Sequence, residues 1–280
     1  MVKIYSTSYR RPDFIELQHK YLTKHCTDDF KLIIINNGEN AEMEQLISET
    51  CSKLGIETIN VEKDHRFPSM SHYVAMNHAL DNYIKKDKDW DIAVIMDSDI
   101  FPFKSFSFKD ILGDYQIGGM YQQRRDTEIE YLCAIFALFN NTLDITELDF
   151  SWSEFADTGG RTNDFLKKYN ITPNWLDHTA AIDIETEHIF QNNNGQLPYK
   201  REYRCQFIAG CLFHYYRGGN WDGMPENYHE DKTKFVNHFL EHPEEYNLNL
   251  NQYVHYNKAH SEKGWNAVDH SYNGYKFVNK

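Results

Sequence analysis

The chain has 280 residues, enough for one large α/β domain or two small ones, and its 41% hydrophobic content supports a substantial core. Its 29 Lys and Arg against 42 Asp and Glu leave a net charge of −13, which argues against broad, sequence-independent nucleic-acid binding, because that needs a basic surface. It holds no apolar stretch of membrane-spanning length and no charged-then-apolar leader, so the expectation is a soluble cytoplasmic protein without a transmembrane segment, peripheral to a membrane only if a partner holds it there.

Along the first hundred residues, strand and helix patterns alternate. Val2 to Tyr5 is a short β-prone segment, and Ser6-Thr7-Ser8-Tyr9-Arg10 follows it. In a doubly wound sheet the loop after the first strand borders the ligand cleft, so these hydroxyls and Arg10 suit a base, a ribose or a phosphate. Turn polarity and helix capping account for the same residues. Pro12 opens a helical pattern with Phe14, Leu17, Tyr21 and Leu22 on one face. Lys31 to Ile35 reads as a second strand, closed by the turn residues Asn36-Asn37-Gly38. The two amides fit a nucleobase edge and fit a turn equally well. A helix follows from about Ala41, with Gly55 as its stop, and Glu57 to Val61 is a third strand.

Met70, Tyr73, Asn77, Leu80 and Ile84 mark a third helical stripe, preceded by His65 and Arg66, which could reach a phosphate or lie in a solvated loop. Asn77 lies within the stripe, so its amide needs partners: structural groups, the main chain of the next strand exit, or a bound nucleotide. Ile92 to Met96 is apolar without alternation, as in a strand buried on both faces, and Asp97-Ser98-Asp99 stands where it should emerge. On extended chain, carboxylates two apart point to the same side. Two such groups at a strand exit suit Mg²⁺ or Mn²⁺, though a solvated acidic turn has the same sequence.

After Pro102 the pattern changes. Ile117 to Tyr121 and Tyr131 to Phe139 read as strands, Asn163 to Tyr169 as a short helix, Gln206 to Tyr215 as one apolar strand and Asp231 to Leu240 as a helix. Polar segments lie at Gln122 to Glu128 and Gln191 to Gly195, and the segment beyond Pro243 has weak periodicity. His214 closes the apolar strand before Arg217-Gly218-Gly219-Asn220-Trp221, which makes it a credible third metal ligand beside Asp97 and Asp99. Gly218-Gly219 would let backbone approach a ligand closely. Five cysteines without CxxC spacing read as reduced, buried thiols.

These pieces together resemble a nucleotide-sugar-dependent glycosyltransferase of the GT-A fold. The resemblance covers about residues 1–222. It rests on Ser6-Thr7-Ser8-Tyr9-Arg10, Asn36-Asn37-Gly38, Asn77, Asp97-Ser98-Asp99, and the later strand carrying His214 before Trp221. It implies a mixed, mainly parallel α/β sheet flanked by helices in a single domain. Residues 1–101 would form its nucleotide-binding half and 102–222 its acceptor half, with 223–280 as an extension packed on the same domain. It implies that Asp99 binds Mn²⁺ or Mg²⁺ directly, that Asp97 binds the metal or holds the ribose, and that His214 completes the ligation. Ser6, Thr7, Tyr9, Arg10, Asn36, Asn37, Arg66, Asn77, Asp97 and Ser98 would then contact the nucleoside-diphosphate sugar. Such families usually carry an acid at the second-strand exit, where this chain has Asn36 and Asn37.

An inverting transfer also needs a base for the acceptor hydroxyl, which would belong to a glycan, a lipid or a protein. Similar enzymes carry an acidic residue in the region Glu154-Phe155-Ala156-Asp157-Thr158-Gly159-Gly160. Asp157 is the first choice, since the glycines can hold it in a fixed turn, and Glu154 the second; a helix cap would use Asp157 as well. Trp152, Trp175 and Trp221 suit sugar stacking or a core. Among competing classes, a nucleotidyltransferase shares the Asp-x-Asp but lacks here its Gly-rich N-terminal loop. A phosphohydrolase would cluster its His residues, and a dehydrogenase would show GxGxxG. A non-catalytic carbohydrate-binding protein of the same fold fits the sequence too.

Overall fold

A computed structural model describes residues 1–61, 68–87, 89–123, 129–153, 156–179, 182–183, 204–215, 218, 228–246 and 255–256. The strands are β1 (Val2–Ser8), β2 (Phe30–Asn36), β3 (Glu57–Asn60), β4 (Ile92–Asp97), β5 (Ile100–Pro102), β6 (Ile117–Gln123), β7 (Glu130–Asn140), β8 (Asn174–Leu176), β9 (His178–Thr179), β10 (Ile182–Asp183), β11 (Arg204–Ile208), β12 (Leu212–Tyr215) and β13 (His255–Tyr256). The helices are α1 (Pro12–His25), α2 (Ala41–Leu54), α3 (Pro68–Ala79, continued by a π turn at Leu80–Ile84), α4 (Phe108–Leu112), α5 (Thr162–Lys168) and α6 (Tyr228–Glu241).

Seven strands form the main sheet in the order β3-β2-β1-β4-β7-β6-β8. β3, β2, β1 and β4 run parallel, β7 runs against both β4 and β6, and β8 is parallel to β6. The sheet is therefore mixed and mainly parallel, with only β7 reversed. The parallel part follows from its crossover helices, which the chain spells out clearly. Pro12 starts α1, the Asn40 side chain accepts from Met43 N–H to cap α2, and Gly55 ends α2 at φ 69°. One apolar layer lies under α3 and joins Tyr5, Ile35, Met76, Leu80, Ile95 and Phe139; the other lies under α1 and α2 and joins Ile4, Ile15, Ile34, Ile47, Val94 and Phe136.

A second sheet, ordered β13-β9-β11-β12-β5, continues from the main sheet where the chain turns after β4. Its outer face is covered by α6, which packs Phe235, Val236, Phe239 and Leu240 against Phe14, Phe101, Phe103, Phe207 and Phe213. Residues beyond 222 thus help build a core. Two expected boundaries differ. β1 runs three residues past Tyr5, because Ser6, Thr7 and Ser8 still pair with Ile34, Ile35 and Asn36. The single strand expected over Gln206 to Tyr215 is a hairpin: Ala209 and Gly210 take positive φ (49° and 69°) and fold β12 back on β11, a reversal that the unbroken apolar run conceals.

Candidate functional site

The C-terminal ends of β1, β2 and β4 lie side by side, with Thr7 in register with Asp97 and Ser8 with Asn36. The expectation that Asp97 and Asp99 project together from extended chain is corrected here. β4 ends at Asp97 and residues 98–99 form a turn into β5, so the period of two stops applying and the two carboxylates take different partners. Asp97 Oδ1 accepts from Thr7 Oγ1 (3.1 Å) and lies 2.8 Å from His72 Nε2, leaving Oδ2 outside both bonds. Burial disfavours the charged His72 ring. The carboxylate of Asp97, reinforced by Asp99 and Asp157, outweighs it and raises the His72 pKa above the usual imidazole value.

Asp99 is almost wholly buried, and its Oδ2 accepts the backbone N–H of Gly218 at 2.7 Å. A Cβ at 218 would fall 2.4 Å from Asp99 Cβ and 2.9 Å from Phe14 Cε2, so the close approach that Gly218 permits is to Asp99 itself. The other oxygen, Oδ1, is buried with no hydrogen-bond partner and faces His214 Nε2 at 3.5 Å. The β12–β5 pairing sets this distance by placing His214 opposite Ile100. Gln206 Oε1 lies 2.9 Å from His214 Nδ1. A ring with its proton on Nδ1 alone would donate to that oxygen and offer the lone pair of Nε2 toward Asp99. An oxygen and a nitrogen donor thus meet at one buried place, which fits a divalent cation such as Mn²⁺. Among the described residues, no group of three or more His, Cys, Asp or Glu is gathered as a metal cluster.

Gln18 locks the turn from below. Its Nε2 donates to the carbonyls of Asp97 and Ile100, both at 3.0 Å, at the two ends of the Asp-Ser-Asp segment. Gln18 and His72 are neighbours of the candidate site that sequence reasoning missed. Each left a signal: a polar side chain on the buried face of α1, and a histidine one and a half turns before Asn77.

Several other expected ligand contacts have partners within the protein. Asn36 donates to the Glu44 carbonyl (2.8 Å), Ser48 Oγ and Asn60 Oδ1, and accepts from Gly38 N–H. Asn37 bonds Ser71. Both amides brace the β2 exit. Arg10 forms a two-pronged ion pair with Glu39 and lies over the Tyr9 ring. Ser6 and Ser8 are buried in β1 rather than set in a loop, their hydroxyls without hydrogen-bond partners, and Ser98 is buried within the turn. Asn77 does not reach the Asp97 turn; it binds residues 149–151. Arg66, Glu154 and Trp221 lie outside the described residues, as do the loops at 124–128 and 191–195.

Asp157 is partly exposed. Its Oδ1 accepts from Thr158 N–H (2.8 Å), and its own N–H donates to Tyr131 Oη (3.4 Å). The following turn is tight: Gly159 has φ 95°, and a Cβ there would meet the Leu132 carbonyl at 2.3 Å. α5 starts after Arg161 with no side-chain cap, so Asp157 is not its N-cap. Asp97 and Asp157 both bear on Cys133, which burial first and then these charges push up to about 12. The charges of Asp97 and Asp157 thus act on both His72 and Cys133. All five cysteines are free thiols, with Cys26 and Cys133 only half-buried. Trp152 is exposed beside this loop, whereas Trp175 packs edge-on against Tyr121.

No family model matches the chain, and no curated protein matches it. Among solved structures it is similar to the bifunctional glycosyltransferase WbbM in its apo form, at 11% identity and a TM-score of 0.39 over 62% of this chain. It is also similar to the galactosyltransferase LgtC in complex with donor and acceptor sugar analogues, at 13% identity and a TM-score of 0.43 over 84% of this chain. The chain spans 38% of the length of the first and 95% of the second. At these values neither likeness bears on what this chain does. No helix among the described residues is long and apolar enough to cross a membrane.

Proposed function

We propose that the protein is a metal-dependent glycosyltransferase that moves a sugar from a nucleoside-diphosphate sugar to a hydroxyl of a glycan, lipid or protein. The observation that carries this reading is the buried, unbonded Asp99 Oδ1 facing His214 Nε2 at the exit of β4. A buried carboxylate oxygen without a donor is costly, and a cation shared with the imidazole removes that cost. Asp99 and His214 would hold the ion, and Asp97, fixed by Thr7 and His72, would offer its second oxygen toward the ion or the ribose. When bound, Mn²⁺ or Mg²⁺ supplies positive charge to a departing nucleoside diphosphate.

In the loop after β7, Asp157 is held in its turn by Thr158 N–H and Gly159. It would take the proton of the acceptor hydroxyl as the new bond forms, the role an inverting transfer requires. The test is calorimetric titration of wild type and Asp99→Asn with UDP and with GDP, each with Mn²⁺ and after chelation. One nucleotide should bind only with metal, and Asp99→Asn should weaken it at least tenfold. Undiminished metal-dependent binding by Asp99→Asn would overturn the assignment.

A further inference from the structure

We infer that Asn77 is a positioning residue for Asp157, and that α3 sets the spacing between the donor-side carboxylates and the acceptor-side acid. The inference rests on the proposed role of Asp157. Three side chains of α3 reach three separate segments of the chain. Ser71 bonds Asn37 at the β2 exit, His72 bonds Asp97 at the β4 exit, and Asn77 bonds the loop that carries Asp157. The five residues from His72 to Asn77 span roughly 7.5 Å along a helix axis. One rigid element therefore gauges the distance between the two halves of the site.

Asn77 uses its whole amide for this. Its Nδ2 donates to Asp149 Oδ1 (2.8 Å) and to Ser151 Oγ (3.0 Å), and its Oδ1 accepts from Phe150 N–H (2.9 Å). Those three residues form one side of the base of a closed loop. The Phe150 carbonyl accepts from Gly159 N–H at 2.7 Å, and the Ser151 carbonyl accepts from Arg161 N–H at 3.1 Å. Asp157 lies inside both closures, two residues before Gly159, and its own carbonyl accepts from Gly160 N–H. The amide thus ties one backbone N–H and two side chains at the base of this loop to α3. Its loss would free the base of the loop without touching β1 or β4.

The experiment compares wild type, Asn77→Ala and Asn77→Ser by amide hydrogen exchange, by Mn²⁺–nucleotide titration and by turnover of the nucleotide sugar. Expected for Asn77→Ala is at least tenfold faster exchange at residues 157–161 with β1 and β4 unchanged. Its kcat should fall at least tenfold while nucleotide affinity stays within twofold, and Asn77→Ser, which keeps one polar group, should lie between. Unchanged exchange at 157–161 would overturn the inference. So would an equal loss of protection in β4, because Asn77 would then only support overall stability. Selective loop exchange in a protein whose wild type turns over no nucleotide sugar would keep the strut and remove the glycosyltransferase reading.

Discussion

Replacing Gly218 by Ala tests the geometry around Asp99 directly. The new Cβ would stand 2.4 Å from Asp99 Cβ, 2.7 Å from Asp99 Oδ2 and 2.9 Å from Phe14 Cε2. None of these can be met without movement. Phe14 is fully buried, with the Arg11 guanidinium 3.6 Å above its ring and Phe101 edge-on to it at 5.2 Å, so it has little room to turn. The softer response is to push Asp99 and residue 218 apart, which breaks the 2.7 Å bond from Gly218 N–H. Overpacking costs about 1–3 kcal/mol, and a hydrogen bond to a charged group is worth about 1.5–3 kcal/mol. Together these lower Tm by several degrees, at about 2–4 °C per kcal/mol for a chain near this size. Differential scanning fluorimetry reads that shift. Titration with nucleotide and Mn²⁺ reads the displacement of Asp99, with an expected loss of at least tenfold, which corresponds to about 1.4 kcal/mol. A Gly218→Ala protein with wild-type Tm and wild-type metal-dependent binding would refute this account of the Asp99 pocket.

Asp157→Asn should bind nucleotide and metal as wild type does and lose transfer by at least a hundredfold; full transfer would move the base elsewhere or favour a retaining route. Asp149 makes acid stability a further readout. Burial works against its charge, but the Ser151 hydroxyl and N–H, the Asn77 amide and the Arg161 guanidinium prevail and hold its pKa below the ordinary carboxylate value. A depressed folded pKa stabilises the native state above the unfolded pKa, about 3.9, and that contribution is lost as pH falls through the folded value. Urea midpoints taken at pH 7 and pH 3 should therefore fall further for wild type than for Asp149→Asn, and equal falls would show that Asp149 is not held in its charged form.

The sequence by itself determined the framework. Pro12, Asn40 and Gly55 punctuate the first helices, and the apolar run into Asp97 marks a central strand, because these signals are local and depend on backbone preference and periodicity. The candidate acids were legible for the same reason: Asp97, Asp99 and the Gly-bounded Asp157 stand out where elements end. Partnership was not legible. Asn36, Asn37 and Asn77 carry the amides expected of ligand contacts, and each bonds residues of the protein between 2 and 74 positions away.

Tertiary structure alone decided that His214 meets Asp99 across 115 positions, through a hairpin that a continuous apolar run disguised and the pairing of β12 with β5. It alone placed His72 on Asp97 and gave Gly218 its purpose. The physical reason is that a hydrogen bond or a shared cation depends on a few ångströms in space, and spacing along the chain fixes such distances only within one helix or one strand. Where the chain leaves regular structure, as it does at Ser98, the sequence still names the chemistry, but the packing of distant elements decides which atoms it joins.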